Sequence, residues 1–274
     1  MAHVVGAVRT ASPQPRRPVL ALFKQIRAAW RLLRTVLHFF RGCAIVAIRF
    51  PCWTPAQQLA AKQRWSIQLL SRLGVTPVLH GDVVSGGALV VANHISWLDI
   101  FVINALRPCT FVCKDDVKDW PLVGWLVANT DTIFIQRGNR AAARRTAESM
   151  VEHLQGGVSI VVFPEGTTTD GTHMLPFRPA LLQSAVDAGV PVAPVAIRYR
   201  DPQHPISPAP AYDGDISLWQ CMRAITLADG LVAEAWVLPA INSQAERAHL
   251  AAHAKHEIAT QLGVPHHAPA SAPG

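Results

Sequence analysis

The chain has 274 residues, half of them hydrophobic and only 16% charged, with a formal net charge of +7. That length holds one large domain or two small ones with a real core, and the surplus of basic residues asks for an anionic partner surface. No zinc-finger, basic-zipper or RNP-type run supports nucleic acid, so the bilayer is the partner to test.

Cys43, Cys52, Cys109, Cys113 and Cys221 form no CxxC pair, and an odd number argues against a disulfide framework and for a reduced, intracellular protein. The basic, proline-containing N-terminus has no early apolar run of the secretory kind. Residues 1–18 read as disordered. From there Lys24, Arg27, Arg31, Arg34, His38 and Arg41 recur at alternating spacings of three and four, which on a helix makes one stripe. Phe23, Ile26, Trp30, Leu33, Leu37 and Phe40 take the opposite side, the pattern of a helix lying in a bilayer interface. A span over 32–50 would put Arg34 and Arg41 at membrane depth, at about 2.5–3.5 kcal/mol for each central arginine. Pro51 interrupts the segment. Thr54-Pro55-Ala56-Gln57 then offers a capping box with proline at the first helical position, and a second amphipathic helix runs to Leu73 before Gly74. Residues 19–74 are thus expected to be a membrane-associating helical hairpin on the cytoplasmic side of the cell membrane, peripheral or monotopic, ahead of a domain over 75–262. Residues 263–274 read as a disordered tail.

Strands are expected near 75–80, 88–92, 110–114, 132–136, 158–163, 192–199 and 233–238, with helices near 96–106, 122–127, 141–155, 179–187 and 243–262. This alternation predicts an α/β fold, a mostly parallel sheet flanked by helices, with the chemistry on loops at strand C-termini. Residues 201–220, rich in proline, read as a long connection. Cys109, Cys113, Phe134 and Phe163 read as core.

Within this frame, Asn93-His94-Ile95-Ser96-Trp97-Leu98-Asp99 follows the apolar run Ala88–Ala92. Ser96 is the expected N-cap of the next helix. A carboxylate at Asp99 can return to one nitrogen of His94, leaving the other to take a proton from a hydroxyl. The competing plain reading is a turn histidine beside a solvated aspartate. Lys114, Arg137 and Arg178 are cations available to an anionic acceptor, and backbone N–H groups at a turn or helix start could receive an oxyanion. Ser96 as a hydrolytic nucleophile is disfavoured, since Gly-x-Ser-x-Gly is absent. No histidine spacing persuades of a metal.

Further along stand Ile133-Phe134-Ile135-Gln136-Arg137-Gly138, Val161-Val162-Phe163-Pro164-Glu165-Gly166 and Val190-Pro191-Val192-Ala193-Pro194-Val195. With the Asn-His-x-x-x-x-Asp element, these four blocks resemble, in order and spacing, the glycerolipid acyltransferase family, best known for its 1-acylglycerol-3-phosphate acyltransferases. The similarity extends over about 75–199. It implies transfer of a fatty acyl group from acyl-CoA or acyl carrier protein to a lysolipid hydroxyl without a covalent enzyme intermediate, and no cofactor. His94 and Asp99 would be catalytic. Arg137 with Glu165, Gly166 and Thr167 would bind the acceptor's glycerol phosphate, and Pro191 belongs to the fourth block. Members acting on lysophosphatidate commonly carry arginine after Glu-Gly-Thr, where this chain has Thr168; Glu-Gly-Thr-Thr-Thr-Asp-Gly is similar to the branch that acylates lyso-ornithine lipid. Lysophosphatidate is the first expectation and lyso-ornithine lipid the alternative. A non-catalytic lipid-binding protein on the same fold is the rival from another class.

Overall fold

The computed structural model of the protein describes residues 17–81, 86–135 and 140–265. Of the residues expected to lack structure, 1–18 and 263–274, those at 1–16 and 266–274 lie outside the described residues, as does Arg137, while Arg17 and Pro18 belong to the first helix.

Helix α1 (Arg17–Ile48) is followed by a 3-10 turn at Phe50–Cys52, where Pro51 interrupts it. Helix α2 (Pro55–Leu73) starts on the expected capping box: Thr54 accepts the Gln57 N–H while Gln57 returns to the Thr54 N–H. Its Leu69, Leu70 and Leu73 enter the core of the main domain, so the second helix of the hairpin is part of that domain's packing.

The sheet has seven strands, β1 (Val75–His80), β2 (Leu89–Ala92), β3 (Thr110–Lys114), β4 (Thr132–Ile135), β5 (Ile160–Val162), β6 (Val192–Arg200) and β7 (Leu231–Val237). Their order is β1-β7-β6-β2-β5-β3-β4. Strands β2 to β6 are mutually parallel; β7 runs antiparallel to β6, and β1 pairs parallel with β7. The mostly parallel sheet expected from the alternation is borne out. Helices α3 (Asp99–Leu106) and α7 (Leu218–Leu227) pack with α2 on one face. Helices α5 (Arg140–Gln155), α6 (Gln183–Ala188) and α8 (Arg247–Leu262) cover the other. The short α4 (Val123–Ala128) joins β3 to β4. Because both faces are covered, β2 is buried at every residue and reads as a continuous apolar run.

Two expectations need correction. Helix α7 lies where the sequence reading placed the end of a long connection and no helix. Its signal is local: Ser217 and Gln220 form a capping box ahead of the buried Cys221 and Ile225. Helix α3 starts at Asp99, three residues late, and Ser96 does not cap it. The acceptor for the N–H groups of Ile95 and Ser96 is the Asp99 carboxylate, which outcompetes a hydroxyl for backbone donors.

Helix α1 packs on α7 and α2 through its polar stripe. Arg27 donates to the Leu227 carbonyl and pairs with Asp229, and Arg31 donates to the Thr226 and Ala228 carbonyls. These are the free carbonyls at the C-terminus of α7, where a cation also meets the negative end of the helix dipole. His38 is buried, stacks on Trp65 and donates from Nε2 to the Trp65 carbonyl, while the Trp65 indole N–H returns to the His38 carbonyl. Gly42 makes this approach possible, since a Cβ there would stand 2.6 Å from the Trp65 indole nitrogen. The apolar side of α1 is left outside, with Phe23, Trp30 and Leu37 66%, 57% and 61% exposed.

Candidate active site

The sheet order places the site. From β2 the chain passes to β3 on one side, and after β5 it crosses to β6 on the other, so the C-terminal end of β2 is a topological switch point, the place where open α/β sheets take their ligands. His94 stands two residues past that end. Asn93 lets the chain leave the sheet there: its amide donates to the Ile197 carbonyl at 2.9 Å and accepts the Ile197 N–H at 2.8 Å. One side chain thereby continues the pairing with β6 that the backbone abandons.

Nδ1 of His94 lies 2.8 Å from Oδ2 of Asp99. The carboxylate can only accept, so Nδ1 carries the hydrogen and Nε2 is the nitrogen left to take a proton. Asp99 is fully buried, and Oδ2 also receives the N–H groups of Ile95 at 2.8 Å and Ser96 at 3.0 Å. Its other oxygen, Oδ1, takes the hydroxyl of Tyr199 at 2.6 Å. The solvated aspartate of the plain reading is thus excluded. The N–H groups of Ile95 and Ser96 are committed to Asp99 and are not free to receive an oxyanion.

Phe163, expected in the core, is half-buried and stacks on the imidazole with ring centroids 4.0 Å apart. It follows β5, the neighbour of β2, so a strand-end aromatic becomes one wall of the histidine.

Glu165 is buried, and its carboxylate accepts the N–H of His94 at 2.9 Å and that of Leu175 at 2.8 Å. Burial pushes its carboxyl up against the opposing pull of those two donors. The Thr169 N–H donates to the His94 carbonyl, so the loop after β5 holds both backbone groups of the histidine. Glu165 therefore ties two loops together. Gly166 adopts φ 75°, and a Cβ there would lie 3.1 Å from the guanidinium of the exposed Arg178. Thr167 is exposed beside it, and the Thr168 hydroxyl donates to the Tyr212 carbonyl.

Lys114 is exposed at the C-terminal end of β3, on the same sheet edge as His94 but two strands along. Strand β4, which precedes Arg137, also ends on that edge. Pro191 is not brought to the site. It precedes β6 at the opposite end of the sheet, where its carbonyl accepts the Leu89 N–H, a four-residue strand or about 13 Å from the histidine's end. Sequence reasoning missed Tyr199, Asn93 and the stacking role of Phe163. Among the described residues no group of three or more His, Cys, Asp or Glu side chains is placed to hold a metal ion.

Residues 71–198 match the acyltransferase family. A lyso-ornithine lipid O-acyltransferase of Pseudomonas aeruginosa is 36% identical over 209 residues, 76% of this chain and 80% of that protein. The chain belongs to the glycerolipid acyltransferase family. A 1-acyl-sn-glycerol-3-phosphate acyltransferase of Neisseria gonorrhoeae is 42% identical over 139 residues, 51% of this chain; the match spans about half, 54%, of that relative's length. The crystal structure of the 1-acyl-sn-glycerophosphate acyltransferase of Thermotoga maritima shares the fold. Its TM-score is 0.68 over 89% of this chain and 96% of that one, at 20% identity. The acyltransferase match covers β2 to β6 almost entirely and with them His94, Asp99 and Glu165.

Proposed function

We propose that this protein transfers a fatty acyl group from a thioester, acyl-CoA or acyl carrier protein, to a lysolipid hydroxyl. The observation that carries the reading is the buried Asp99 holding His94 by Nδ1 just past the C-terminal end of β2. In this mechanism the acceptor hydroxyl gives its proton to Nε2 as its oxygen attacks the thioester carbonyl. The tetrahedral intermediate then expels the thiolate, which leaves with the proton held on the imidazolium. Asp99 stabilises that imidazolium and fixes its tautomer. A non-catalytic binder would have no use for such a pair. Purified protein given one acyl donor and a lysolipid should form the diacyl product, and a folded His94→Ala protein of full activity would overturn the reading.

The acceptor we place first is lysophosphatidate, on the cations Lys114, Arg137 and Arg178 and the name of the Neisseria relative. Lyso-ornithine lipid is the second reading. It rests on Thr168, whose hydroxyl is engaged by Tyr212 where a cation would face a phosphate, and on the longer match to the Pseudomonas protein. A phosphate monoester asks for net positive charge at the pocket, whereas a zwitterionic headgroup tolerates a mixed one. The two lysolipids assayed in parallel decide: conversion of lyso-ornithine lipid with none of lysophosphatidate sinks the first choice.

We also propose that α1 lies in the cytoplasmic membrane interface. The described stretch Ala21–Cys52 is long and apolar enough to cross a membrane by length and composition alone. Yet the contacts of Arg27, Arg31 and His38 run along α7 and α2, so crossing would carry elements of the catalytic domain into the hydrocarbon. Lying flat, the exposed apolar side meets lipid and holds the site near an acceptor anchored in the bilayer.

A further inference from the structure

We propose that Tyr199 is a positioning residue that sets how strongly Asp99 holds His94. The inference rests on the acyl-transfer reading for its consequence in turnover, and on geometry alone for its structural claim. Strand β6 outruns β2: Val195 is level with Ala92, the last residue of β2, and Tyr199 lies four residues further on. Period-two alternation from Ala193 through Val195 and Ile197 turns Tyr199 toward the face that carries α3. It therefore fills the space beneath the turn from His94 to Asp99 and is 1% exposed. Its hydroxyl donates to Oδ1 of Asp99 at 2.6 Å, across 100 residues of chain, while Oδ2 serves His94 and two backbone N–H groups.

That division has two consequences. The Tyr199 bond stops the carboxylate turning about its own axis, so Oδ2 stays on the imidazole. It also draws charge toward Oδ1, which limits the basicity of Oδ2 and hence the strength of the bond to Nδ1–H. Tyr199 thereby keeps the imidazole in the orientation and tautomer that leave Nε2 to take the proton. The phenol stays neutral, since burial pushes its ionisation well above the usual range and the Asp99 charge adds to this. The other titratable groups around the pair are Glu165 from the loop after β5 and Cys221 from α7, with Lys255 of α8 facing Glu165.

The test is Tyr199→Phe in the full chain, read two ways. By NMR, the His94 Nδ1–H resonances, identified by their loss in His94→Ala, should move downfield as Oδ2 becomes more basic; this readout needs no turnover. In acyl transfer, kcat should fall about tenfold, the worth of one charge-assisted hydrogen bond, with KM for donor and acceptor little changed. The acid limb of the kcat profile should move to higher pH. Unmoved Nδ1–H resonances in the folded variant would overturn the proposal, whether or not the protein transfers acyl groups. So would a pH profile that keeps its shape while only thermal stability falls. If the phenylalanine variant does not fold, 3,5-difluorotyrosine at position 199 keeps the shape and donates more strongly. It should move the resonances upfield, and no movement would overturn the proposal equally.

Discussion

The backbone N–H of His94 donates to Oε1 of Glu165 at 2.9 Å, across 71 residues of chain. The bond fixes the height at which the histidine leaves the sheet, and the Leu175 N–H on Oε2 fixes the loop that carries the glutamate. Glu165→Gln keeps one acceptor oxygen and turns an NH2 group toward the other donor. We expect a loss of about 1–3 kcal/mol of stability, the cost of one unsatisfied buried N–H. In steady-state kinetics kcat should fall while the acceptor KM moves little. A rise confined to the acceptor KM would assign Glu165 to substrate contact instead.

The same residue has a pH signature. Burial raises its carboxyl in the folded state, so above the ordinary glutamate range the folded protein holds a proton that the unfolded chain has lost. Its contribution is fully present below the unfolded value and fades as pH rises through the raised folded value. Denaturant unfolding of wild type and Glu165→Gln across mildly acidic pH should therefore show the wild type's stability falling relative to the variant as pH rises. Parallel curves would exclude the shift.

For the pair we propose as catalytic, His94→Ala should remain folded and transfer no acyl group. Asp99→Asn should lower kcat by about 10⁴-fold, since the amide can present its NH2 to Nδ1 and select the wrong tautomer. Thermal unfolding checks the fold, and an Asp99→Asn protein within tenfold of wild type would remove the aspartate from the mechanism.

Alkaline unfolding tests the burial of Tyr199. Its phenol ionises in the unfolded chain near the ordinary value of about 10 but is held neutral in the fold. Stability from this group is present below that value and falls above it, by about 1.4 kcal/mol per pH unit. Tyr199→Phe should flatten the alkaline limb by that slope and remove a step of phenolate absorbance that accompanies unfolding. An unchanged limb would mean that Tyr199 ionises without unfolding.

The outer side of α1 yields the last prediction. Trp30 and Leu37 are more than half exposed and do not hold α1 to the domain, which the polar stripe does. Each is worth about 1.5–3 kcal/mol when buried in lipid. The pair Trp30→Glu/Leu37→Glu should weaken binding to anionic vesicles by at least about 100-fold, with the melting temperature unchanged. Undiminished sedimentation with vesicles would place the membrane contact elsewhere.

By itself the sequence determined what short-range physics controls. All seven strands lie within a few residues of where apolar runs and turn residues put them, and the capping box opens α2 where Thr54 and Gln57 stand. The five-residue step from His94 to Asp99 was legible too, because a turn into a helix returns the carboxylate to the ring locally. Tertiary structure decided the rest. The stripe on α1 showed two chemically distinct sides without saying which met the domain; only the α7 carbonyls and Trp65 made the basic side the inner one. Glu165 was expected, by resemblance, to bind the acceptor's glycerol phosphate; only the fold brought two backbone N–H groups to its carboxylate. Tyr199 was only the last residue of an expected strand, because a hydrogen bond across 100 residues leaves no periodicity for a local pattern to show.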